Sequence, residues 1–475
     1  MVIDTGLFKQ IEAAGQLEVL RFWDELDEAG QRRFSEQLAA INWRELPGLI
    51  HDYVLNKPRT VIPDDLAPAS FFPLAPKDER TRELYRRATA VGEELLRGGR
   101  VCCLTVAGGQ GTRLGFDGPK GTYPIGPVSG SSLFSYFAGA IRRAGVKYGH
   151  RISWYIMTSM LNRDATVAFF EKNEFFGLAP EQVFFFTQGT MPAIGYDGKL
   201  LLGSKGSLAL SPDGHGGTLL ALRKSGALER MEREHTDIIS YFQVDNPLVK
   251  MCDPLFIGLH ELEKSDMSAI MLAKTGPYEK LGNFCVSGGK LNIIEYSDLP
   301  ESLAEKRNPD GTLAFVAGSP AIHMISRRFV AELTAGGSLK LPWHRADKKI
   351  QTVDASGNPV KPESPNGVKL ESFIFDALPL AGRTMILEGD RKEVFAPTKN
   401  ATGVDSAESC RQMLIDRDAR RLEAAGVAIP RKADGGVDAM IEISPAAVLD
   451  DDDAVEYVKA HALKSIDAGS KFFLD

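Results

Sequence analysis

No apolar run in the 475-residue chain approaches the roughly 20 residues a bilayer-crossing helix needs, so no membrane segment is expected. The N-terminus lacks the basic-then-apolar pattern of a secretory leader, and none is expected. Cysteine is scarce: Cys102, Cys103, Cys252, Cys285 and Cys410 are an odd number without ligand-like spacing. That excludes a disulfide framework and a zinc site, and it fits a reducing cytoplasm. There is no internal repeat and no low-complexity tract. Excess positive charge is also missing. A net charge of −7 argues against a general nucleic-acid binder, so any phosphate site must be a local basic island. Two common nucleotide loops are absent as well. There is no Walker string G-x-x-x-x-G-K-[ST], which disfavours a P-loop kinase, and no dinucleotide fingerprint G-x-G-x-x-G.

What is present is a chain long enough for two or three domains, with 43% hydrophobic and 25% charged residues, as in soluble globular proteins. Its focal stretch is Val101 to Tyr123, VCCLTVAGGQGTRLGFDGPKGTY. The apolar run to Ala107 predicts a buried parallel strand. It stops at Gly108 and Gly109, with Gly111 and Gly115 beyond and Arg113 and Lys120 among them. Exposed backbone N–H groups of such a loop can cradle phosphate oxygens, and the two cations can neutralise them. Glycines alone would equally suit a plain turn with solvated cations. The buried strand, GGQGTRLG and Pro119-Lys120 together point to a nucleotide phosphate loop.

Before this stretch, the spacing of Val19, Trp23 and Leu26, and of Phe34, Leu38 and Ile41, predicts amphipathic helices punctuated at Pro47-Gly48. Pro58 to Pro76 is expected to be an irregular linker, and Lys77 to Arg97 a helix ended by Gly98-Gly99. From Arg100 strands and helices alternate, with helices at Ser131–Gly145 and Asn162–Asn173. Strands are predicted at Ile152–Thr158, Val183–Thr187, Ile238–Val244 and Ala269–Ala273. This is the pattern of a doubly wound, parallel α/β sheet. Phe284 to Tyr296 predicts a hairpin turning at Gly288-Gly289. Val404–Ala425 and Asp451–Leu463 read as helices of a small C-terminal subdomain, and the acidic run Asp450–Asp453 as a helix-start cap.

Asp245-Asn246-Pro247 follows a predicted strand, where ligands bind in open α/β sheets. Asp245 is a hard oxygen donor suited to Mg²⁺, although an Asp opening a turn before Pro is the plainer alternative. In PDGHGGT, Pro212 to Thr218, a Gly-rich backbone could lie against a planar ring.

The string GGQGTRLG followed by PKG resembles the signature of sugar-nucleotide pyrophosphorylases. It is most similar to the UDP-N-acetylhexosamine pyrophosphorylases within the UTP:sugar-1-phosphate uridylyltransferase (UDPGP type 1) family. Further matching segments run in family order to about Asn400, covering roughly the middle three fifths of the chain. The resemblance implies a Rossmann-like, mixed but mostly parallel nucleotidyltransferase core. It implies an N-terminal helical region (1–98), a catalytic domain (99–385) and a small C-terminal subdomain (386–475). The implied activity transfers UMP from UTP to N-acetylglucosamine 1-phosphate or a related hexose 1-phosphate, with Mg²⁺, in a cytoplasmic monomer. Arg113, Lys120 and Lys399 would act on the phosphates and Asp245 would hold the Mg²⁺. Ala107, Gly108, Gly109, Gly111, Thr112, Gln188, Pro212, Gly214 and His215 would hold the nucleotide. Gly282, Glu295, Tyr296, Ser319, Phe373 and Phe375 would face the sugar. The chain departs from the N-acetylhexosamine pattern at His215, where Asn is usual and the glucose-type branch carries His, and at Ser319, which replaces Asn. A glucose-type or broad-specificity enzyme is therefore the alternative. A non-catalytic nucleotide-sugar sensor is a second, disfavoured because Arg113, Lys120 and Asp245 are all present. His323 reads as a packed histidine at least as readily as a contact, and Asp253, a weaker second candidate for the Mg²⁺, reads sooner as structural.

Overall fold

A computed structural model of the protein describes residues 3–57 and 62–475. They fall into two compact units built from interleaved segments. The larger comprises Pro63–Thr187, Leu219–Leu339 and Leu378–Asp475. The smaller comprises the N-terminal stretch through Ile62 with Gln188–Thr218 and Lys340–Ala377.

The larger unit is organised on an eleven-stranded sheet. In chain order its strands are β1 (Ala67–Pro68), β2 (Val101–Val106), β3 (Trp154–Thr158), β4 (Val183–Thr187), β5 (Ile238–Gln243), β6 (Met267–Ala273), β7 (Gly282–Ser287), β8 (Lys290–Ile294), β9 (Ala317–Ser319), β10 (His323–Ser326) and β11 (Thr384–Glu388). Across the sheet they run β1-β7-β9-β6-β10-β5-β2-β3-β4, with β8 on β7 and β11 on β6. Strands β5, β2, β3 and β4 are mutually parallel, and β10 reverses between β5 and β6. Following every pairing, β2, β3, β4, β5, β6, β7 and β11 point one way, and β1, β8, β9 and β10 the other. The α/β sheet is thus mixed, with most strands sharing one direction.

The central strands are apolar along their length because both faces are covered. Every residue of β3, and all of β2 but Val106, is buried. The helix Leu133–Tyr148 lays Phe134, Phe137, Ile141 and Ala144 over Cys103, Trp154 and Phe242. Ser132 caps its start and Gly149 ends it in the left-handed region. Each such buried aromatic contributes on the order of 2 kcal/mol of transfer free energy. Polar groups in this layer are paired: Trp154 donates Nε1–H to Thr105 Oγ1 at 2.8 Å. The β7–β8 hairpin turns at Gly288 and Gly289, both with positive φ (56° and 71°), as the Gly-Gly pair predicts.

The C-terminal part packs helix Ala407–Ala424 against strand Met440–Ile443, which pairs in parallel with Lys471–Leu474. Asp450 caps helix Asp451–Ala460 by accepting from the Asp453 N–H at 3.1 Å, so the acidic run is a helix start. Glu442, only 1% exposed, accepts from the N–H groups of Val128 and Ser129 (both 2.7 Å), from Ser129 Oγ (2.6 Å) and from the Tyr136 hydroxyl (2.8 Å).

The smaller unit packs helices Thr5–Ala13 and Glu28–Ala39 on the three-stranded sheet His344–Lys348, Gly367–Glu371 and Ile194–Gly195. Three local expectations change. Val19 and Trp23 reach the core from successive 3₁₀ turns, Leu17–Leu20 and Trp23–Glu25, and not from one helix. Pro47-Gly48 lies inside the helical turn Leu46–Leu49, because proline is tolerated in a first turn. Of the expected linker, residues 58–61 lie outside the described residues. Its later part is tied to the sheet: β1 pairs with β7, and Phe72 exchanges hydrogen bonds with Ile386 and Glu388.

Candidate active site

Strands β2, β5 and β6 share a direction, so their C-terminal ends lie on one edge of the sheet, the edge where open α/β folds bind ligands. Ala107 follows β2, Asp245 stands just past β5, and Lys274 follows β6. The Ala107 N–H donates to Met157 O (2.8 Å). The fully buried Asn162 donates its side-chain amide to the carbonyls of Ala107 (2.8 Å) and Gly109 (3.2 Å), fixing the loop's entry. The loop then folds on itself: Gly111 N–H donates to Gly118 O (2.9 Å) and Lys120 N–H to Gly109 O (3.1 Å). Gly109, Thr112 and Arg113 are exposed, whereas Gly111 and Gly121 are buried. A Cβ on Gly121 would fall 2.2 Å from the Phe134 ring, so the PKG glycine is required by packing.

Asp245 meets this loop. Its Oδ2 lies 3.4 Å from Lys120 Nζ, with the side chains 11% and 14% exposed. The Val244 N–H donates to Val106 O (3.1 Å) and the Thr398 N–H to Asp245 O (2.8 Å). Asn246 clamps the FAPTKN segment to the same turn, donating to Val394 O (2.8 Å) and accepting from the Ala396 N–H (2.9 Å). Lys399 Nζ is 4.0 Å from Asp405 Oδ2. Burial pushes the Asp405 carboxyl up, with Asp245 adding to this and Lys399 opposing it. Asp253 caps helix Pro254–Leu262 by accepting from the Leu255 N–H. Among the described residues, no group of three or more His, Cys, Asp or Glu is placed to hold a metal ion.

Toward the other end of the sheet, Gly282 stands opposite Ser319 and Asn283 opposite both Gly318 and Ile294. A Cβ built on Gly282 would lie 3.7 Å from Glu295 Oε1, so that carboxylate turns back over Gly282. Tyr296 is 45% exposed. His323 is fully buried within β10, its ring 5.7 Å from that of Tyr241, as a packed histidine would be.

The smaller unit holds the remaining candidates. Gln188 is buried and donates to Asp213 Oδ1 (3.4 Å) and Gly214 O (3.3 Å). Pro212 pairs with Thr190. Gly214 has φ +85°, and a Cβ there would collide with Ser372 O at 2.2 Å, so its glycine admits the neighbouring strand end. The His215 ring stacks on Phe373 (5.1 Å), which stacks on His344 (4.2 Å), with Phe375 against both histidines. His215 Nδ1 accepts from the Ile374 N–H (3.1 Å). Burial, with some contribution from His344, pushes its pKa down to about 4, so the imidazole is neutral. His344 Nε2 lies 2.8 Å from Asp376 Oδ2.

Sequence reasoning overlooks Asn162, Lys274 and Asp405. A polar residue four places past one strand, one place past another, or in the turn after the Lys399 segment carries no pattern of its own. The shared strand direction singles out Asn162 and Lys274, and the approach to Lys399 singles out Asp405.

The family model described as UTP--glucose-1-phosphate uridylyltransferase matches residues 67–424. A UDP-N-acetylhexosamine pyrophosphorylase-like protein 1 of Xenopus tropicalis is 37% identical over 84% of this chain and 80% of its own length. UDP-N-acetylglucosamine diphosphorylase 2 of Arabidopsis thaliana is 34% identical, over 93% and 89%. Among solved structures, the uridine diphosphate N-acetylglucosamine pyrophosphorylase of Trypanosoma brucei superposes with a TM-score of 0.84 at 25% identity, covering 100% of this chain and 98% of that one. With a glycine-rich loop, an Asp245 turn and a Lys399 segment gathered at one sheet edge, and a match extending over most of its length, the chain belongs to the UTP–glucose-1-phosphate uridylyltransferase family of nucleotidyltransferases.

Proposed function

We propose that the protein transfers UMP from UTP to N-acetylglucosamine 1-phosphate. An oxygen of the sugar phosphate attacks the α-phosphorus of UTP. The bond to the bridging oxygen breaks, and pyrophosphate leaves with the electron pair. No protein nucleophile is required, so catalysis is positioning and charge neutralisation. The observation that carries this reading is the meeting of Lys120 with Asp245 beside the glycine-rich loop. In it, the N–H groups of Gly108 and Gly109, with Thr112, receive phosphate oxygens, while Gly111, its N–H held by the Gly118 carbonyl, shapes the loop around the nucleotide. Arg113, exposed on its short turn, stabilises the leaving pyrophosphate. Lys120 binds near the α-phosphate and Lys399 the attacking phosphate. Gln188, Pro212, Gly214 and His215 serve the base. Gly282, Glu295, Tyr296, Ser319, Phe373 and Phe375 serve the sugar.

Asp245 is assigned the divalent cation, taken to be Mg²⁺. A single well-sheltered carboxylate suits an ion that keeps several waters and takes its other ligands from substrate phosphates, not one caged by protein. Bound there, it would neutralise phosphate charge. The protein is further proposed to act as a cytoplasmic monomer without nucleic-acid partners. No described helix is long and apolar enough to cross a membrane. Regions 1–98, 99–385 and 386–475 remain our proposed division of the chain.

A pyrophosphate-release assay with UTP, Mg²⁺ and a panel of sugar 1-phosphates tests the reading. Turnover with the acetylated sugar is expected. Use of glucose 1-phosphate with rejection of the acetylated sugar would establish the glucose-type alternative, which His215 and Ser319 favour. Tight UDP-sugar binding without release in any reaction would establish a sensor.

A further inference from the structure

Lys274 is buried at the C-terminal end of β6, only 7% exposed. Its Nζ donates to Asn283 Oδ1 at 2.5 Å and reaches the Pro277 carbonyl only at 3.5 Å. Among the described residues no carboxylate stands within ion-pair distance of it. An ammonium sheltered this far with only neutral partners is costly, and burial pushes its pKa down.

What it holds is a junction of three strands. Asn283 is 1% exposed and lies opposite Gly318 of β9 and Ile294 of β8. With its oxygen on Lys274, it turns its amide to the Ile294 carbonyl (3.2 Å). The lysine stem lies over Gly318, where any Cβ would come within 3.2 Å of Lys274 Cγ. One residue from each of these contacts stands a proposed sugar residue. Gly282 precedes Asn283, Ser319 follows Gly318, and Glu295 follows Ile294. A charged donor holds an amide oxygen shorter and more firmly than a neutral one.

We propose that Lys274 is a positioning residue for the sugar: by gripping Asn283 it sets the spacing of Gly282, Ser319 and Glu295. This rests on the sugar assignment made above. In this role it would not touch the reacting phosphates, so its loss should appear in sugar recognition and not in nucleotide recognition. The rival role is direct contact of the ammonium with substrate phosphate.

A double-mutant cycle separates the two roles. Lys274→Met and Asn283→Ala should each raise KM for the sugar 1-phosphate about tenfold while KM for UTP stays within about twofold. The double variant should be no worse than either single one, because both break one connection. Additive effects would overturn the proposal, since Lys274 would then act independently of Asn283. So would an equal rise in the KM for UTP. Should Lys274→Met fail to fold, as judged by thermal unfolding, Asn283→Ala alone decides: a sugar-selective rise supports the proposal and an unchanged KM overturns it. If the wild type turns over no sugar 1-phosphate, the functional reading fails separately. The cycle is then read on calorimetric affinity for UDP-N-acetylglucosamine relative to UDP, and a coupled loss of that ratio still supports the role.

Discussion

Lys120 Nζ and Asp245 Oδ2 stand 3.4 Å apart where the glycine-rich loop meets the turn after β5. That is longer than a good charge-assisted hydrogen bond, although both side chains are largely sheltered. The two charges are near enough to compensate each other and loose enough to accept a further partner between a cation and an anion.

Lys120→Ala should therefore lower turnover by about a hundredfold or more, since one preorganised charge contact to a reacting phosphate is lost. Stability should fall as well, by on the order of 3 kcal/mol, because the sheltered Asp245 carboxylate loses its cation, but the folded fraction should still show the full loss of turnover. Pyrophosphate release and thermal unfolding, measured on one preparation, check both. Near-normal turnover would remove Lys120 from the catalytic set.

Asn246→Ala should behave differently. It leaves the Val394 carbonyl and the Ala396 N–H without their buried partner, at a cost of about 1–3 kcal/mol for each group stranded. Because Thr398 and Lys399 hang from the same segment, both melting temperature and turnover should drop. A variant that loses neither would show that this clamp is dispensable.

UTP should be strongly preferred over ATP and GTP. The turn at Gly214 has no spare room on its Ser372 side, and a pyrimidine occupies less space than a purine. Comparable rates with ATP would show that the base is bound elsewhere.

Ser319→Asn should raise the preference for N-acetylglucosamine 1-phosphate over glucose 1-phosphate. An amide offers more donors and greater reach than a hydroxyl, and one polar contact is worth roughly 0.5–1.5 kcal/mol, a few-fold to tenfold in the ratio. Ser319 stands opposite Gly282, where the longer side chain would face the proposed pocket. Specificity constants for the two sugars, compared in both proteins, decide it.

Acid should destabilise the larger unit through His260. This buried ring has Nδ1 2.7 Å from Ser268 Oγ and Nε2 3.1 Å from Ser326 Oγ, and burial pushes its pKa down to about 4. With the folded value below the unfolded one, the stabilisation is complete above about pH 6.5 and is lost as pH falls from there through about 4. The loss is on the order of 3 kcal/mol for this ring. Urea unfolding at pH 7 and pH 4.5 should show a smaller pH dependence in His260→Gln. An identical one would assign the acid sensitivity elsewhere.

The strands of the larger unit are legible because their apolar runs are continuous, and the glycine-rich loop because glycines and cations follow such a run directly. Direction is less legible. Nothing in HMIS marks β10 as the reversed strand between β5 and β6, since a short buried strand reads the same in either sense. Side-chain surroundings are less legible still. PDGHGGT suggests an open loop, yet Gly214 and Gly216 are filled by Ser372 and Phe373, and His215 lies in a stack with rings more than a hundred positions away. Lys274 is invisible for a simpler reason. A lysine after a strand ordinarily points to solvent, and only the pairing of β7 with β9 buries this one.

The grip of Glu442 on Val128 and Ser129 also governs timing. During synthesis the GGQGTRLG string is made early, but the carboxylate that braces the loop behind it is encoded more than three hundred residues later. That carboxylate lies on Met440–Ile443, whose partner strand is Lys471–Leu474. Contacts this distant in sequence form slowly. A nascent chain therefore carries Val128 and Ser129 well before it carries the carboxylate that receives their N–H groups.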